Sequence, residues 1–529
     1  MRIPLLLYGL ALAVRLVLIA QFPYPAYPDS AYYVDVARSL HAGTGFNVDF
    51  IWIFAEVGGV IPADPMLPIP SNAHWMPLAS IVQVPFMALF GDVAWAEALP
   101  FALIGAIAAP LTWAIARDFG ARGSVAVGAG ILTAVPLLSA VYLVQPDNFS
   151  LFQPLVIGSL WLAARALRGS SPWTFIGAGL LAGLATLSRN DGLLVLASLG
   201  LVFAWDRLRA LRSAGAQPPA ISVAAAVGCV VAFVLVMAPW WARQLAVFGS
   251  LSPSTASGKV LFIRSIEEWN SISTPATLGR LLDMGIGPLL QTRVVGLVNA
   301  LLIYTTLVAG VVLAPFMVIG GWARRRSRDF GPFFIYAGLL FAFSAIVSAV
   351  HVPGGTFIHS AIALAPFSYI LALEGVNIAV EWVARRRTSW DAARASRIFT
   401  GAVVAFALVC AVAGSLVVHA VWEDRRERAL AVATTLSDAG AGAADRVMSI
   451  DAASTKYWSD HGGVVLVNDP IETIHEVARA YGIAWLVLDA KESVPAAAPI
   501  LAGNRPSWVG PGLSTGIAGL MVYPLELGS

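Results

Sequence analysis

The chain is short of charge. Only 12% of its 529 residues are Asp, Glu, Lys or Arg, against 58% hydrophobic, where an ordinary soluble domain carries about 25% charged residues. That balance excludes a soluble globule and describes a polytopic membrane protein. Cysteine is scarcer still: the two present, Cys229 and Cys410, both lie inside apolar runs, so neither a disulfide framework nor a thiolate metal site can be argued. Gly-rich phosphate loops following a strand are missing, and so is any basic loop long enough to fold a nucleotide-binding domain. A formal net charge of +2 says nothing about nucleic acid; what matters is where Arg and Lys fall along the chain, and no nucleic-acid partner is expected. Internal repeats, low-complexity tracts and the paired interrupted helices of transporters are lacking too.

What is present is a succession of apolar runs punctuated by arginine. Residues 3–20 follow Arg2 with no small-x-small cleavage site before Gln21-Phe22-Pro23, and they read as a retained first span. Arg15 interrupts it, either snorkelling to the outer interface or standing near a lipid phosphate. Residues 77–90 are apolar, but 14 residues make a helix of roughly 21 Å, too short for a hydrocarbon core of about 30 Å. They are therefore laid in the interface. With that choice Arg117 and Arg122, Arg165 and Arg168, Arg207, Arg209 and Arg212, then Arg324, Arg325, Arg326 and Arg328, then Arg385, Arg386 and Arg387 all fall on one side. Excess arginine marks that side as cytoplasmic. The expected fold class is a polytopic α-helical membrane protein with about eleven transmembrane helices, N-terminus inside and C-terminus outside, followed by a small extracytoplasmic α/β domain.

The expected division is a transmembrane catalytic domain over 1–422 and an extracytoplasmic soluble α/β domain over 423–529. Within the first, 21–92 form an extracytoplasmic loop with interfacial helices and 242–291 a second, large one. Tyr33, Val36, Ala37 and Leu40 recur at helical spacing after Asp29 and stop at Gly43-Thr44-Gly45, which predicts a helix lying on the membrane. Further on, 447–450, 464–467 and 485–488 read as strands, with a helix over 472–481.

Apart from the cytoplasmic arginines, ionisable residues collect at the outer ends of the spans. A transporter places some of them near the bilayer midplane, whereas an enzyme working on a lipid-linked substrate places them at the surface. With no domain for nucleotide sugars, the activated donor must be a sugar on a lipid phosphate. Transfer from it needs a carboxylate to take the acceptor's proton and cations to hold the departing phosphate. Asp29, in Tyr24-Pro25-Ala26-Tyr27-Pro28-Asp29-Ser30, is the base candidate, and Asp147 is a second catalytic carboxylate. His74, Arg189, Arg243, Lys259, Arg264, His351 and His359 form the pool for the phosphate and substrate.

Each has a plainer reading. Asp29 is placed like a helix N-cap, Asp147 like the start of the next helix, and Arg243, after Pro239-Trp240-Trp241, like an interfacial anchor. His74 beside Trp75 reads equally as an interfacial polar residue and His359 as a helix-start residue, while Asp191 either joins the site or satisfies Arg189. His461 and His475 show no metal-ligand spacing. No metal ligand or cofactor is assigned; a divalent metal is compatible with the sequence but not supported by it.

These residues also carry a family resemblance. Pro28-Asp29-Ser30, Tyr32-Tyr33 and Ala37-Arg38 up to Gly43-Thr44-Gly45-Phe46 resemble the first-loop signature of the glycosyltransferase C superfamily, nearest to its protein O-mannosyltransferases and lipid A aminoarabinose transferases. His74-Trp75-Met76-Pro77-Leu78 is similar to a motif ending in Pro-Pro-Leu, with Met76 replacing the first proline. Leu187-Ser188-Arg189-Asn190-Asp191-Gly192, Pro239-Trp240-Trp241-Ala242-Arg243-Gln244 and Tyr481-Gly482-Ile483-Ala484-Trp485 continue the likeness in order. The resemblance implies a polyprenyl-phosphate sugar donor, inversion at the anomeric carbon, and the first-loop aspartate, here Asp29, as base. It also maps a second-loop acid onto Asp147 and a phosphate-binding basic residue onto His74. The first-loop acidic pair appears here as Asp29-Ser30, a departure that weakens any paired-carboxylate role.

The expected function is an inverting glycosyltransferase in the cell inner or plasma membrane. It moves a sugar from a polyprenyl phosphate to a glycan, lipid or protein acceptor at the extracytoplasmic face. A transporter or flippase with an external cap, and an idle scaffold, are the alternatives.

Overall fold

The computed structural model describes residues 2–212, 218–251, 255–387, 391–492 and 494–528. Among them, seven helices are long and apolar enough to cross a membrane: Arg2–Gln21, Ala94–Asp118, Phe149–Ala166, Val223–Phe248, Ile286–Val308, Ala349–Ala384 and Ala392–Asp438. Shorter apolar helices include Leu78–Phe90, Gly123–Ser139, Pro172–Ser188 and Gly331–Val347. The chain is thus a mostly helical, polytopic membrane protein. Its helices approach closely where side chains are small: a Cβ on Gly375 would overlap the Phe316 carbonyl, and one on Gly320 that of Leu371. That locks Ala314–Arg324 against Ala365–Ala384. Outward, Val409, Val412, Leu416 and Val417 of the last long helix are 62–66% exposed, a face made for lipid tails rather than water.

Polar chemistry is segregated between the two ends of the bundle. At one end the arginine loops meet: Arg168 pairs with Asp118 at 3.1 Å and Asp329 at 2.7 Å, Arg122 with Glu381 at 2.7 Å and Arg324 with Glu374 at 2.6 Å. At the other stand Asp147 and Asn148, just before Phe149–Ala166, the helix whose last turn carries Arg165. The two sets are separated by the length of one helix, about 27 Å for its 18 residues.

The predicted first-loop helix is Pro28–His41. Proline at its first position carries no N–H to leave unpaired, and Arg38 and His41 near its C-terminus suit the helix dipole. Yet it does not lie exposed on the membrane surface. Tyr32 is 0% exposed, Tyr33 1%, and Val34, Val36 and Ala37 are fully covered, because the helix Ala452–Ser459 of the C-terminal region packs on its other side.

That C-terminal region is α/β, with strands Arg446–Ser449, Gly463–Val465 and Ile483–Asp489 and a helix Ile471–Ala480 near the expected positions. Two things differ. The expected boundary at 422/423 falls inside one continuous helix, Ala392–Asp438. The sheet also takes in the first loop: its order is Phe50–Ile51, Gly463–Val465, Arg446–Ser449, Ile483–Asp489, Leu520–Pro524, Leu513–Ser514, with Phe50–Ile51 parallel to Gly463–Val465. Gly462 and Gly463 make the junction, where added Cβ atoms would overlap the Asp49 and Val447 carbonyls. The first loop and the C-terminal region therefore share one core that includes Tyr32, Phe50, Ile51, Val464, Leu486 and Tyr523.

Candidate active site

Between the membrane helices and the C-terminal region lies a cavity of about 1200 Å³. Its wall includes Asp29 and His359, the aromatic rings of Trp52, Trp269 and Trp458, and the apolar Val417, Val418 and Val421 of the last long helix. The cavity thus has both a polar wall and a wall continuous with the lipid-facing helix, which suits an amphipathic ligand.

Asp29 owes its position to its place in the helix. Tyr27, not Asp29, occupies the N-cap position, and the Ser30 hydroxyl accepts the N–H groups of Ala26 at 3.1 Å and Tyr27 at 3.2 Å. The N-cap reading of Asp29 is therefore corrected. Its carboxylate, in the first turn, is left to face the cavity and accepts one hydrogen bond from Trp75 Nε1 at 3.1 Å. Trp75 is in turn held by stacking on Trp52, ring centres 4.1 Å apart.

Asp147, 0% exposed, sits behind it. It accepts from the Tyr27 hydroxyl at 2.9 Å and from the Asn148 N–H at 2.5 Å. Asp29, Asp147 and His359 each offer an atom within 4.8 Å of the others. Two carboxylates and an imidazole are a donor set that a divalent cation accepts, so these are the residues that could hold one. Burial pushes both acids above the ordinary carboxylate range; the Asp29 charge raises Asp147 further, the Asp451 charge adds to the rise on Asp29, and Arg189 opposes the shift on both.

Arg189 is the cation the structure brings to this centre. Ser188 ends the helix Pro172–Ser188, and Arg189 leaves it in extended backbone, which turns the side chain inward. The guanidinium bonds Asp191 at 2.9 Å and His359 Nδ1 at 2.7 Å, and Asp191 also accepts from the Ser360 hydroxyl. Both readings of Asp191 thus apply: it pairs with Arg189 and so orients a residue of the site. His359, 9% exposed, is seated on the Phe149 ring, centres 4.1 Å apart. Its role is in the cavity wall, not merely at a helix start.

The remaining expectations fare differently. His74 lies beside Trp75 with its carbonyl held by Asn190 at 2.6 Å. Burial, then the nearby charges of His351 and Arg189, push its pKa down to about 4, which favours the neutral imidazole in the ligand-free protein. His351 packs against Trp269, ring centres 4.3 Å apart and planes tilted by 44°. Arg243 is a fastener of the first loop. It donates to the carbonyls of Ser71 at 2.8 Å and Phe46 at 3.3 Å and lies over the rings of Phe46, Trp240 and Phe248. Lys259 is buried in a ring of carbonyls from Glu268, Ser271 and Thr274. Arg264 pairs with Glu268 at 3.0 Å near the surface. None of these three lines the cavity, because each is committed to local loop structure.

Sequence reasoning missed Tyr27, Trp75, Trp52 and Trp269, and also Asp451, an acid of the C-terminal region that lines the cavity and caps its own helix through the Ser454 N–H at 2.9 Å. Trp75 and Tyr27 had a signal, standing in the quoted motifs. Asp451 had none, since only folding brings position 451 to position 29.

Residues 73–241 match the family model described as dolichyl-phosphate-mannose-protein mannosyltransferase. Among solved structures the chain is similar to ArnT from Cupriavidus metallidurans bound to undecaprenyl phosphate, with TM-score 0.54 and 15% identity over 98% of this chain and 97% of that one. Its apo state gives 0.57 and 14% over the same shares. The Archaeoglobus fulgidus oligosaccharyltransferase in complex with Zn and sulfate gives 0.52 and 14% over 90% and 67%. No curated protein matches in sequence. The chain resembles the glycosyltransferase C superfamily in the residues of one segment and in the fold of the whole.

Proposed function

We propose that this protein is an inverting glycosyltransferase that moves a sugar from a polyprenyl phosphate to an acceptor hydroxyl or amine at the extracytoplasmic face. The observation that carries the reading is a constellation in which Asp29 and His359 stand on the polar wall of a cavity whose other wall is a lipid-facing helix, with Asp147 and Arg189 packed directly behind them. An acid needed as a base and a cation needed for a leaving phosphate stand side by side there. The orientation follows from charge: the arginine loops lie inside, the site and outer domain outside, and about eleven spans connect them.

In the proposed step the acceptor oxygen or nitrogen attacks the anomeric carbon from the face opposite the phosphate. The bond from that carbon to the phosphate oxygen breaks as the new glycosidic bond forms. Asp29 takes the acceptor's proton, and a carboxylate with a raised pKa is a stronger base than an ordinary one. Asp147 fixes Tyr27 beside it and orients the acceptor. The phosphate leaves with growing negative charge, which Arg189 stabilises from a position already organised by Asp191 and His359. Phosphate is a good leaving group, so no general acid is required. If a divalent ion is held by Asp29, Asp147 and His359, it supplies further charge for the phosphate.

Mass spectrometry of lipid extracted with the purified protein tests this reading. A polyprenyl phosphate or its glycosylated form is expected; its absence, together with failure of added polyprenyl phosphate to bind, contradicts it.

A further inference from the structure

The 242–291 loop reaches the cavity through Trp269 and Asn270, and what holds it there is unusual. The turn Ile266–Asn270 fully buries none of its residues, Trp269 packing only partly against Ile53, Ala55 and Ala256, so apolar packing alone does not fix it. Hydrogen bonds to charged groups do. Asp469 of the outer domain, 5% exposed, accepts from the Ser271 hydroxyl at 2.6 Å, the Ile272 N–H at 2.8 Å, the Ser273 N–H at 3.1 Å and the Ser273 hydroxyl. Asn468 adds two more, taking the Asn270 carbonyl at 3.3 Å with its N–H and the Glu267 carbonyl at 2.7 Å with its amide. From the loop's own side, Lys259 gathers the Glu268, Ser271 and Thr274 carbonyls. An anion thus collects the donors of 271–273 and a cation collects the acceptors of 268–274. Charge-assisted bonds of this kind are about twice as strong as neutral ones.

We infer that Asp469 is a positioning residue, strapping residues 266–274 to the outer domain so that Trp269 and Asn270 form a fixed wall of the substrate cavity. This gives the outer domain a task in the reaction beyond covering the first loop. Trp269 also packs against His351, their rings tilted by 44°, and the His351 ring faces Gly354 of the 351–359 segment that carries His359. The strap therefore bears on the polar end of the cavity, where the proposed lipid phosphate sits. Only that last point rests on the glycosyltransferase reading.

The test combines hydrogen exchange with lipid binding. In Asp469→Asn, amide exchange over 266–274 is expected to rise about tenfold or more while strands Arg446–Ser449 and Ile483–Asp489 stay protected. Binding of undecaprenyl phosphate in detergent is expected to weaken roughly tenfold in Asp469→Asn and in Trp269→Ala, and the double variant to be no weaker than Trp269→Ala, since both act through one wall. Ser273→Ala, which removes one donor and leaves the acid, gives the same changes in smaller measure if Asp469→Asn folds poorly. Unchanged exchange over 266–274, loosened exchange with unchanged binding, or additive losses each overturn the inference. Wild-type protein that binds no undecaprenyl phosphate contradicts the lipid reading instead, and exchange alone then decides the strap.

Discussion

Replacing Arg189 with Gln removes the cation that bonds His359 of the cluster while keeping a donor of similar reach. Its guanidinium stands 2.7 Å from His359 Nδ1 and is close enough to Asp29 and Asp147 to oppose their protonation. At roughly 5 Å and an effective dielectric constant of about 20, one unit charge acts on another with about 3 kcal/mol. A phosphate leaving into that position loses stabilisation of the same order, so transfer should fall about 10²- to 10³-fold. Arg189→Lys retains the charge but not the fork that bonds Asp191 and His359 together, and should lose less. The assay is transfer of labelled sugar from its polyprenyl carrier in detergent, with a melting curve for each variant to show that it is folded. Folded Arg189→Gln protein that keeps a third or more of wild-type transfer refutes the assignment of Arg189 as the phosphate cation.

Further outcomes follow from the same geometry. Because burial raises the pKa values of Asp29 and Asp147 in the folded protein, the transfer rate should fall on acidification at a pH above the ordinary carboxylate range, as a pH-rate profile reads directly. The stability effect has the opposite sense: the folded state holds these protons more tightly than the unfolded one, so their contribution is present at low pH and is lost as pH rises through the raised values. Denaturant midpoints across that window should decline for wild type and stay flatter for the double Asp29→Asn, Asp147→Asn variant. Gly463→Val drives a side chain into the Val447 carbonyl and should cost about 2–3 kcal/mol or more, seen as loss of yield or a lowered melting temperature. Arg264→Ala, which removes only a near-surface ion pair with Glu268, should transfer at close to the wild-type rate. Arg243→Ala should lower thermal stability more than activity per folded molecule, since it removes two bonds to first-loop carbonyls.

How far the sequence could be read depended on whether a feature was local. The helix over Pro28–His41 was legible because proline starts it and its apolar spacing is unbroken. The strands near 447, 464 and 485 were legible because each is a short β-branched run between turns. Arg189 and His359 were legible as residue types at span ends, but their pairing across 170 positions was not. Arg243, Lys259 and Arg264 misled for a physical reason: a lone cation in an external loop looks the same whether it meets a ligand or the chain's own carbonyls, and only the fold tells them apart. Strand Phe50–Ile51 was beyond reach, being two residues long and defined wholly by a partner more than 400 positions away.

The most direct test of the central claim is the transfer rate of purified, folded Asp29→Asn, an exchange that keeps the shape and the contact with Trp75 Nε1 but removes the base. The account predicts a loss of about 10²-fold or more, with undecaprenyl phosphate still bound. Transfer at the wild-type rate would contradict it.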